Sequence, residues 1–297
     1  MSRVLFAHNG EGSSTWFGTS QLSWALTGSE KALLFNSDSC HNRIIIAIKK
    51  AVNKINLQKL KDGNNKIILD VLDWVDYDKY SIQANQNEPN FLPEFNKHML
   101  DGYIVNSQKM KFWWQKNIDG SKPIFVIPRH WDSRFSSVKF VKYPQKPHIY
   151  FSGQKSFKNW NCLYVDRLIE DGLLHDKRSS ERYFKDLPLD GCQINIRMPG
   201  SWEFCFKPAS KLFTAAAIGS PIITTFDWSV EEILPSDYPY GLKAADYDTV
   251  IECFKFVKET YLAPPWSLAK EILQEVKAKT TVQAISWLYL DLESHFS

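Results

Sequence analysis

Short, continuous apolar runs alternate with stretches of helical periodicity through the first half of the chain. The strand-like runs are residues 3–7, 31–35, 66–74, 102–106 and 122–128. The helix-like stretches are residues 20–28, 42–55, 91–100 and 107–117, the last with Ser107 as its N-cap. Strands without polar alternation, separated by helices, are typical of a parallel sheet that is covered on both faces. The pattern therefore predicts a doubly wound α/β domain.

The alternation is interrupted at residues 129–147, which are rich in charge, serine and proline and indicate an interdomain connection. A second alternating set follows it and ends in a long helical tail: residues 148–153, 162–174, 192–198, 206–225, 240–262 and 267–293. We predict an α/β protein of two Rossmann-like domains that face each other across a cleft. The predicted boundaries are 1–143, 144–275 and 276–297, with the last segment a helix that packs back toward the first domain.

Composition and charge narrow the classes of protein that fit this pattern. Of the 297 residues, 44% are hydrophobic and 23% are charged, as expected for a soluble globular protein with a substantial core. The formal net charge of +3 is too small to indicate a nucleic-acid groove, but it suits a cleft for anionic small molecules. No apolar run is long enough for a transmembrane helix, and the first residues lack a signal-peptide pattern.

The cysteines indicate neither a disulfide framework nor a zinc site. They are 5 in number, widely spaced and without a CxxC pair. A reducing cytoplasm is the expected location.

Residues 206–225, FKPASKLFTAAAIGSPIITT, combine an apolar helix with a polar beginning. Ser210 is the expected N-cap, and Gly219 is the expected residue of positive φ after the helix. A helix N-terminus favours anions, and Lys207 and Lys211 would add positive charge there. The alternative is that both lysines point to solvent.

Four segments in order resemble GT-B-type glycosyltransferases, which use nucleotide-activated sugars. They are residues 101–115, 124–135, 148–156 and 206–225. The resemblance implies that the first domain lies on the acceptor side and that the second binds the nucleotide sugar. It also implies that the helix at 206–225 directs its N-terminus at the donor diphosphate.

The segment 206–225 departs from the family pattern at two positions. Many retaining members carry two glutamates around this helix, and alignment on Gly219 places Phe206 and Thr214 there. Glu203 lies three positions before the first of them. Thr214 stays a candidate for donor binding, and the choice between retaining and inverting chemistry stays open.

Other residues near the expected donor cleft are candidates for binding its phosphates or sugar: Arg129, His130, Gly153, Lys155, Arg197 and Glu203. Gly153 is expected to form a turn after the first strand of the second domain. Arg197 and Glu203 flank one loop, so Glu203 could bind a sugar hydroxyl or pair with Arg197. For Lys155 the alternative is a surface or capping role.

The loop at residues 8–15 follows the first strand, at the sheet edge where open α/β folds bind ligands. Gly10 and Gly12 would let the backbone approach the donor closely. Thr15 replaces the third glycine of the dinucleotide fingerprint, which disfavours a nicotinamide enzyme.

His8, Glu11 and Asp73 are the candidate catalytic residues. His8 and Glu11 lie in this loop, and Asp73 lies at a predicted strand end. Each could deprotonate or orient an acceptor hydroxyl, as inverting transfer requires. The alternatives are an ordinary βα turn for the first two and helix capping for Asp73.

No metal is expected. The aspartate pairs at 76/78 and 246/248 have DxD spacing, but GT-B-type enzymes generally hold no catalytic metal in this way, and we interpret both as turn formers or helix caps. The lysine-rich tract 49–61 is interpreted as the solvated face of a helix, with peripheral membrane contact as the alternative.

The leading hypothesis is a metal-independent glycosyltransferase with a uridine or guanosine diphosphate sugar as donor and no other cofactor. The acceptor could be a glycan, lipid, protein or small molecule, and no nucleic-acid partner is expected. One alternative is a GT-B-like protein that has lost catalysis and binds a nucleotide or a partner. A phosphate-transfer enzyme or an epimerase is the third.

Overall fold

The computed structural model describes residues 3–7, 21–27, 40–72, 95–133, 135, 140–141, 147–154, 165–179, 187–188 and 191–296. The chain divides into two compact units. Unit 1 comprises residues 1–130, 206–208 and 281–297, and unit 2 comprises residues 131–205 and 209–280.

Unit 1 contains a sheet of five parallel strands whose spatial order equals their order in the chain. The strands are β1 (Val4–Ala7), β2 (Ile44–Ile48), β3 (Lys66–Asp70), β4 (Gly102–Val105) and β5 (Ile124–Val126). Every residue of β2 and β4 is buried, and for β4 the continuous apolar run at 102–106 predicts this.

The helix predicted over residues 42–55 is wrong in its first part. Ile44–Ile48 is strand β2, paired with both β1 and β3, and only Lys49–Asn53 forms a 3₁₀ turn. A run of isoleucines satisfies helix and strand patterns alike, and burial on both faces of a sheet favours the β-branched side chains as a strand. The tract 49–61 is therefore not one amphipathic helix.

The helices described in unit 1 are α1 (Gln21–Thr27), α2 (Leu57–Asp62), α3 (Gln108–Asn117) and α9 (Val282–His295). The prediction for α3 is confirmed, because the Ser107 hydroxyl accepts a hydrogen bond from the Met110 amide at 3.1 Å. Of the stretch 91–100, only Lys97–Met99 is described as helical, and it is a 3₁₀ turn.

Helix α9 contributes to the core of unit 1. Its residues Ile285, Tyr289 and Leu292 are buried in one apolar cluster with residues of β1, β2 and β3. The ring of Tyr289 meets that of Phe6 edge-on, with 5.3 Å between centroids. The C-terminal helix thus packs on the sheet that the N-terminal residues build.

Unit 2 contains a second sheet of five parallel strands, in the spatial order β12-β11-β10-β7-β8. The strands are β7 (His148–Gln154), β8 (His175–Ser179), β10 (Gly191–Asn195), β11 (Ile222–Thr225) and β12 (Gly241–Leu242). The short strands β6 (Phe140–Val141) and β9 (Leu187–Pro188) pair separately. With the two parallel sheets, the predicted α/β class is confirmed.

The helices described in unit 2 are α4 (Val165–Glu170), α5 (Trp202–Phe206, whose last residue falls in unit 1), α6 (Ser210–Ile218), α7 (Tyr247–Glu259) and α8 (Pro264–Lys279). Asp246 caps α7 by accepting from the Thr249 amide at 2.9 Å, which confirms its interpretation as a helix cap. Within the ranges given above, no helix is both long and apolar enough to cross a bilayer.

The predicted helical tail over 267–293 is two helices rather than one. Helix α8 ends at Lys279, and α9 begins after Thr281, whose side chain accepts from the Ala284 amide at 3.0 Å. Thr280 instead bonds back to the Val276 carbonyl. Two adjacent threonines, one closing a helix and one capping the next, divide the tail.

Candidate functional site

The ends of three neighbouring strands locate the candidate site in unit 2. Strands β7, β10 and β11 are parallel, so Gln154, Asn195 and Thr225 end them at one edge of the sheet. Helix α6 lies between β10 and β11 in the chain and therefore begins at this edge. Open α/β sheets bind ligands at the carboxyl ends of their strands.

Helix α6 begins as the sequence predicts, but its N-cap is Ala209 rather than Ser210. Ser210 is the first helical residue and is exposed, and its carbonyl oxygen accepts from the Thr214 hydroxyl at 2.9 Å. No side-chain oxygen caps the helix at Ala209. The predicted end is confirmed, because Gly219 has a φ of 69° and its amide bonds to the carbonyl oxygen of Ala216 at 3.2 Å.

Lys211 lies on the first turn of α6 and contacts the sheet rather than pointing only to solvent. Its Nζ atom is 3.6 Å from the centroid of the Phe151 ring, on the neighbouring strand β7. An ammonium over an aromatic face is held electrostatically by the ring quadrupole. The positive charge is thereby fixed near the beginning of α6.

Phe206 and Lys207 fall in unit 1, whereas Ser210 and Lys211 fall in unit 2. The Phe206 carbonyl oxygen accepts from the buried Asn106 Nδ2 atom at 3.1 Å. Its ring meets that of Trp113 edge-on, with centroids 4.7 Å apart. The chain immediately before α6 is therefore anchored by specific contacts.

Both positions that align with the family's glutamates have structural roles here. Phe206 is buried, and the Thr214 hydroxyl is occupied by the Ser210 carbonyl oxygen. Neither side chain supplies the carboxylate that the family pattern would place there.

Arg197 is held in a buried ion pair whose partner the sequence analysis missed. Its Nη1 atom lies 2.7 Å from Oδ2 of Asp227, and the two side chains are 6% and 0% exposed. Its backbone amide also donates to the Thr225 hydroxyl at 3.0 Å. Burial raises the pKa of Asp227, and the charge of Arg197 opposes that increase.

Asp227 also organises the backbone that follows β11. Its Oδ1 atom accepts from the amides of Ser229 and Val230, both at 3.0 Å. The next residue, Trp228, donates its amide to the Phe204 carbonyl oxygen at 3.1 Å, linking this turn to α5. Arg197 and Asp227 thus brace the loops after β10 and β11, and Glu203 lies on the first turn of α5.

In unit 1, Arg129 forms a second buried ion pair, with Asp70 at the end of β3. The Nη2–Oδ2 distance is 2.6 Å. Burial raises the pKa of Asp70 and the Arg129 charge opposes the rise, while the neighbouring Tyr289 also has its pKa raised by burial. His130 is buried beside this pair in the chain.

Six of the candidate residues lie outside the described residues: His8, Gly10, Glu11, Gly12, Asp73 and Lys155. The expected turn at Gly153 is wrong, because β7 continues to Gln154 and Gly153 pairs in register with Arg178 of β8. Among the residues that the structure describes, no three His, Cys, Asp or Glu side chains gather as a metal site would require.

Sequence comparison gives no relatives. No protein-family model matches the chain, and no curated protein matches it. The structure, in contrast, resembles many solved proteins.

Sucrose-phosphate synthase from Thermosynechococcus elongatus has a TM-score of 0.54 at 12% identity, over 85% of this chain and 73% of that one. Anabaena HepE in complex with UDP has a TM-score of 0.58 at 9% identity, over 87% and 80% of the two chains. For the GtfA/B complex the TM-score is 0.51 at 12% identity, and the match covers 84% of this chain but only 57% of that one. The chain therefore has the fold of the GT-B glycosyltransferases.

Proposed function

We propose that the protein is a glycosyltransferase that transfers a sugar from a nucleotide diphosphate sugar to an acceptor hydroxyl, without a metal. One observation carries the proposal: helix α6 begins at the carboxyl edge of the second sheet with the Lys211 ammonium held over Phe151. A helix N-terminus beside a fixed ammonium is a favourable place for a diphosphate.

Transfer breaks the bond between the sugar's anomeric carbon and the diphosphate oxygen, and the diphosphate leaves with increased negative charge. Hydrogen-bond donors and positive charges that are already oriented stabilise such charge most effectively. In this proposal the first-turn amides of α6, the Ser210 hydroxyl and the Lys211 ammonium supply these groups. The same positive charge makes a divalent cation unnecessary for departure of the diphosphate.

Other residues have supporting or still untested roles in this proposal. Arg197 holds the loops after β10 and β11 through Asp227, so we assign it to positioning rather than to direct phosphate binding. The acceptor hydroxyl gives its proton to a base, for which the sequence offers His8, Glu11 and Asp73. Lys207 stays a prediction for phosphate binding.

Uridine diphosphate is the first donor nucleotide to test. Structural neighbours include Anabaena HepE in complexes with UDP and with UDP-glucose. A pneumococcal O-GlcNAc transferase, GtfA, is a neighbour in complex with UDP and GlcNAc. These ligands belong to the neighbours, and they define the probes for this chain: UDP, UDP-glucose and UDP-GlcNAc, with GDP for comparison.

Isothermal calorimetry with UDP and GDP tests the donor site. We expect Lys211→Ala to weaken the preferred nucleotide about tenfold, because one charge-assisted contact to the diphosphate is lost. Lys255→Ala, which removes an exposed lysine of α7, is the matched control and should leave the affinity unchanged. Equal affinity in wild type and Lys211→Ala would refute the assignment of α6.

Donor hydrolysis and transfer assays separate the enzyme from the second candidate, a nucleotide-binding protein without catalysis. The buried Phe206 favours that candidate, because it replaces a carboxylate of the family pattern. A transferase should release UDP from its donor slowly alone and faster with a suitable acceptor. Tight UDP binding with no release of UDP from any donor, across a panel of glycan, lipid and small-molecule acceptors, would favour the binding protein.

A further inference from the structure

Helix α3 presents an aromatic side chain to solvent among lysines. Phe112 is 66% exposed, although the helix buries Met110 and Trp114 on its other side. Lys109 and Lys116 lie three residues before and four residues after Phe112, so all three occupy one helical face. Gln108 and Gln115 lie on the same face, and we call these five residues the α3 basic face. Helix α3 contains no acidic residue.

Further lysines gather where α3 ends. The Nζ atom of Lys97 donates to the Ile118 carbonyl oxygen at 3.3 Å, and Lys122 donates to the carbonyl oxygen of Lys97. The nearby carboxylate, Asp119, accepts from the Ser121 hydroxyl at 2.6 Å and lies 3.8 Å from Lys122. Lys97 and Lys122 therefore add positive charge at the end of α3, where Asp119, an acidic residue within the described part of the chain, is already paired.

We propose that the α3 basic face docks on the surface of an anionic lipid bilayer. Lysines around a projecting apolar ring match a membrane surface, where the ring enters the boundary of headgroups and acyl chains and the ammonium groups meet lipid phosphates. Charge complementarity selects this occupant over an apolar protein partner, which would have to desolvate the lysines. The proposal does not rest on nucleotide-sugar binding.

Vesicle flotation of the full chain tests the proposal, with one set of vesicles of phosphatidylcholine and another that also contains phosphatidylglycerol. We expect binding to the anionic vesicles, its loss at high salt, and little binding to the neutral ones. Phe112→Ser should lower the partition coefficient about tenfold, from the loss of one inserted ring. Lys109→Gln with Lys116→Gln should lower it roughly 25-fold, at about fivefold for each lysine.

Trp287→Ser is the matched control, because Trp287 is 59% exposed on α9, a helix without lysine or arginine. It should bind the anionic vesicles as the wild type does. Equal loss of binding in this control, or equal binding of the wild type to neutral vesicles, would overturn the proposal. So would binding that neither α3 variant changes, or binding of single-stranded DNA with none to vesicles.

Discussion

The Nζ atom of Lys211, at the beginning of helix α6, lies 3.6 Å from the centroid of the Phe151 ring on strand β7. The contact joins the first turn of α6 to the middle of strand β7. It fixes a charge that would otherwise sample many side-chain conformations, and such preorganisation lowers the entropic cost of binding an anion.

Replacing Phe151 by leucine should therefore weaken UDP binding through Lys211. A cation–π contact is worth roughly 0.5–1 kcal/mol, so we expect a two- to fivefold loss of affinity by calorimetry. In a Lys211→Ala background, Phe151→Leu should cause no further loss. An equal loss in both backgrounds would mean that Phe151 acts through the core and not through the lysine.

Removing one partner of the ion pair between Arg197 and Asp227 should destabilise the protein more than replacing both partners with apolar residues. Asp227→Ala leaves a buried guanidinium without its carboxylate, and we expect a loss of about 3–5 kcal/mol in the free energy of unfolding in urea. The double variant Arg197→Met, Asp227→Leu should lose less than Asp227→Ala, since it buries no charge.

The surface pair of Glu275 and Lys279 on α8 offers the comparison. Glu275→Ala should cost less than about 1 kcal/mol. If Asp227→Ala lowered the free energy of unfolding no more than Glu275→Ala, the buried pair would not hold the loops after β10 and β11 in place.

The sequence predicted most strands of both sheets because their signal is local. The runs at 102–106 and 148–153 contain the strands β4 and β7 that the structure shows. Two failures have physical causes. The isoleucine run of β2 fits a helix equally well, and β8, with the sequence HDKRS, has no apolar pattern because it lies at the edge of its sheet.

The candidate site was predictable only where it is local in sequence. Gly219 could be placed because a helix followed by Gly-Ser-Pro is a local signal, and so could the beginning of α6 to within one residue. Asp227 lies 30 residues from Arg197, and nothing in its spacing indicates the ion pair that the sheet creates. Asp70 and Arg129, 59 residues apart, meet for the same reason.

Substitution of Gly219 should lower the free energy of unfolding because of its backbone conformation and not because of crowding. Its φ of 69° is left-handed, yet a Cβ atom added there would meet nothing within 4 Å. Gly219→Ala should then cost about 1 kcal/mol in urea unfolding, with no steric addition. Gly219→Asn should cost clearly less, because asparagine tolerates this conformation. Equal costs for the two variants would contradict the backbone explanation.

A pair of histidines on strands β7 and β8 should make the free energy of unfolding depend on pH. Nδ1 of His148 and Nε2 of His175 are 3.0 Å apart on the adjacent strands β7 and β8. Partial burial lowers the pKa of both rings. The pKa of His148 is lowered further by the charges of His175 and Lys177, and that of His175 by the charges of Lys177 and Lys258. The unfolded chain therefore binds protons more readily than the folded one as the pH falls below the ordinary histidine value of about 6.5.

Stability should thus be fully present above about pH 6.5 and be lost as the pH falls from there toward the lowered pKa values of the pair. The thermal midpoint, measured by calorimetry between about pH 7.5 and about pH 5, should fall less in His175→Gln than in the wild type. His98→Gln, which removes an exposed histidine of unit 1, is the control and should follow the wild type. A wild-type slope retained in His175→Gln would assign the acid sensitivity to other groups.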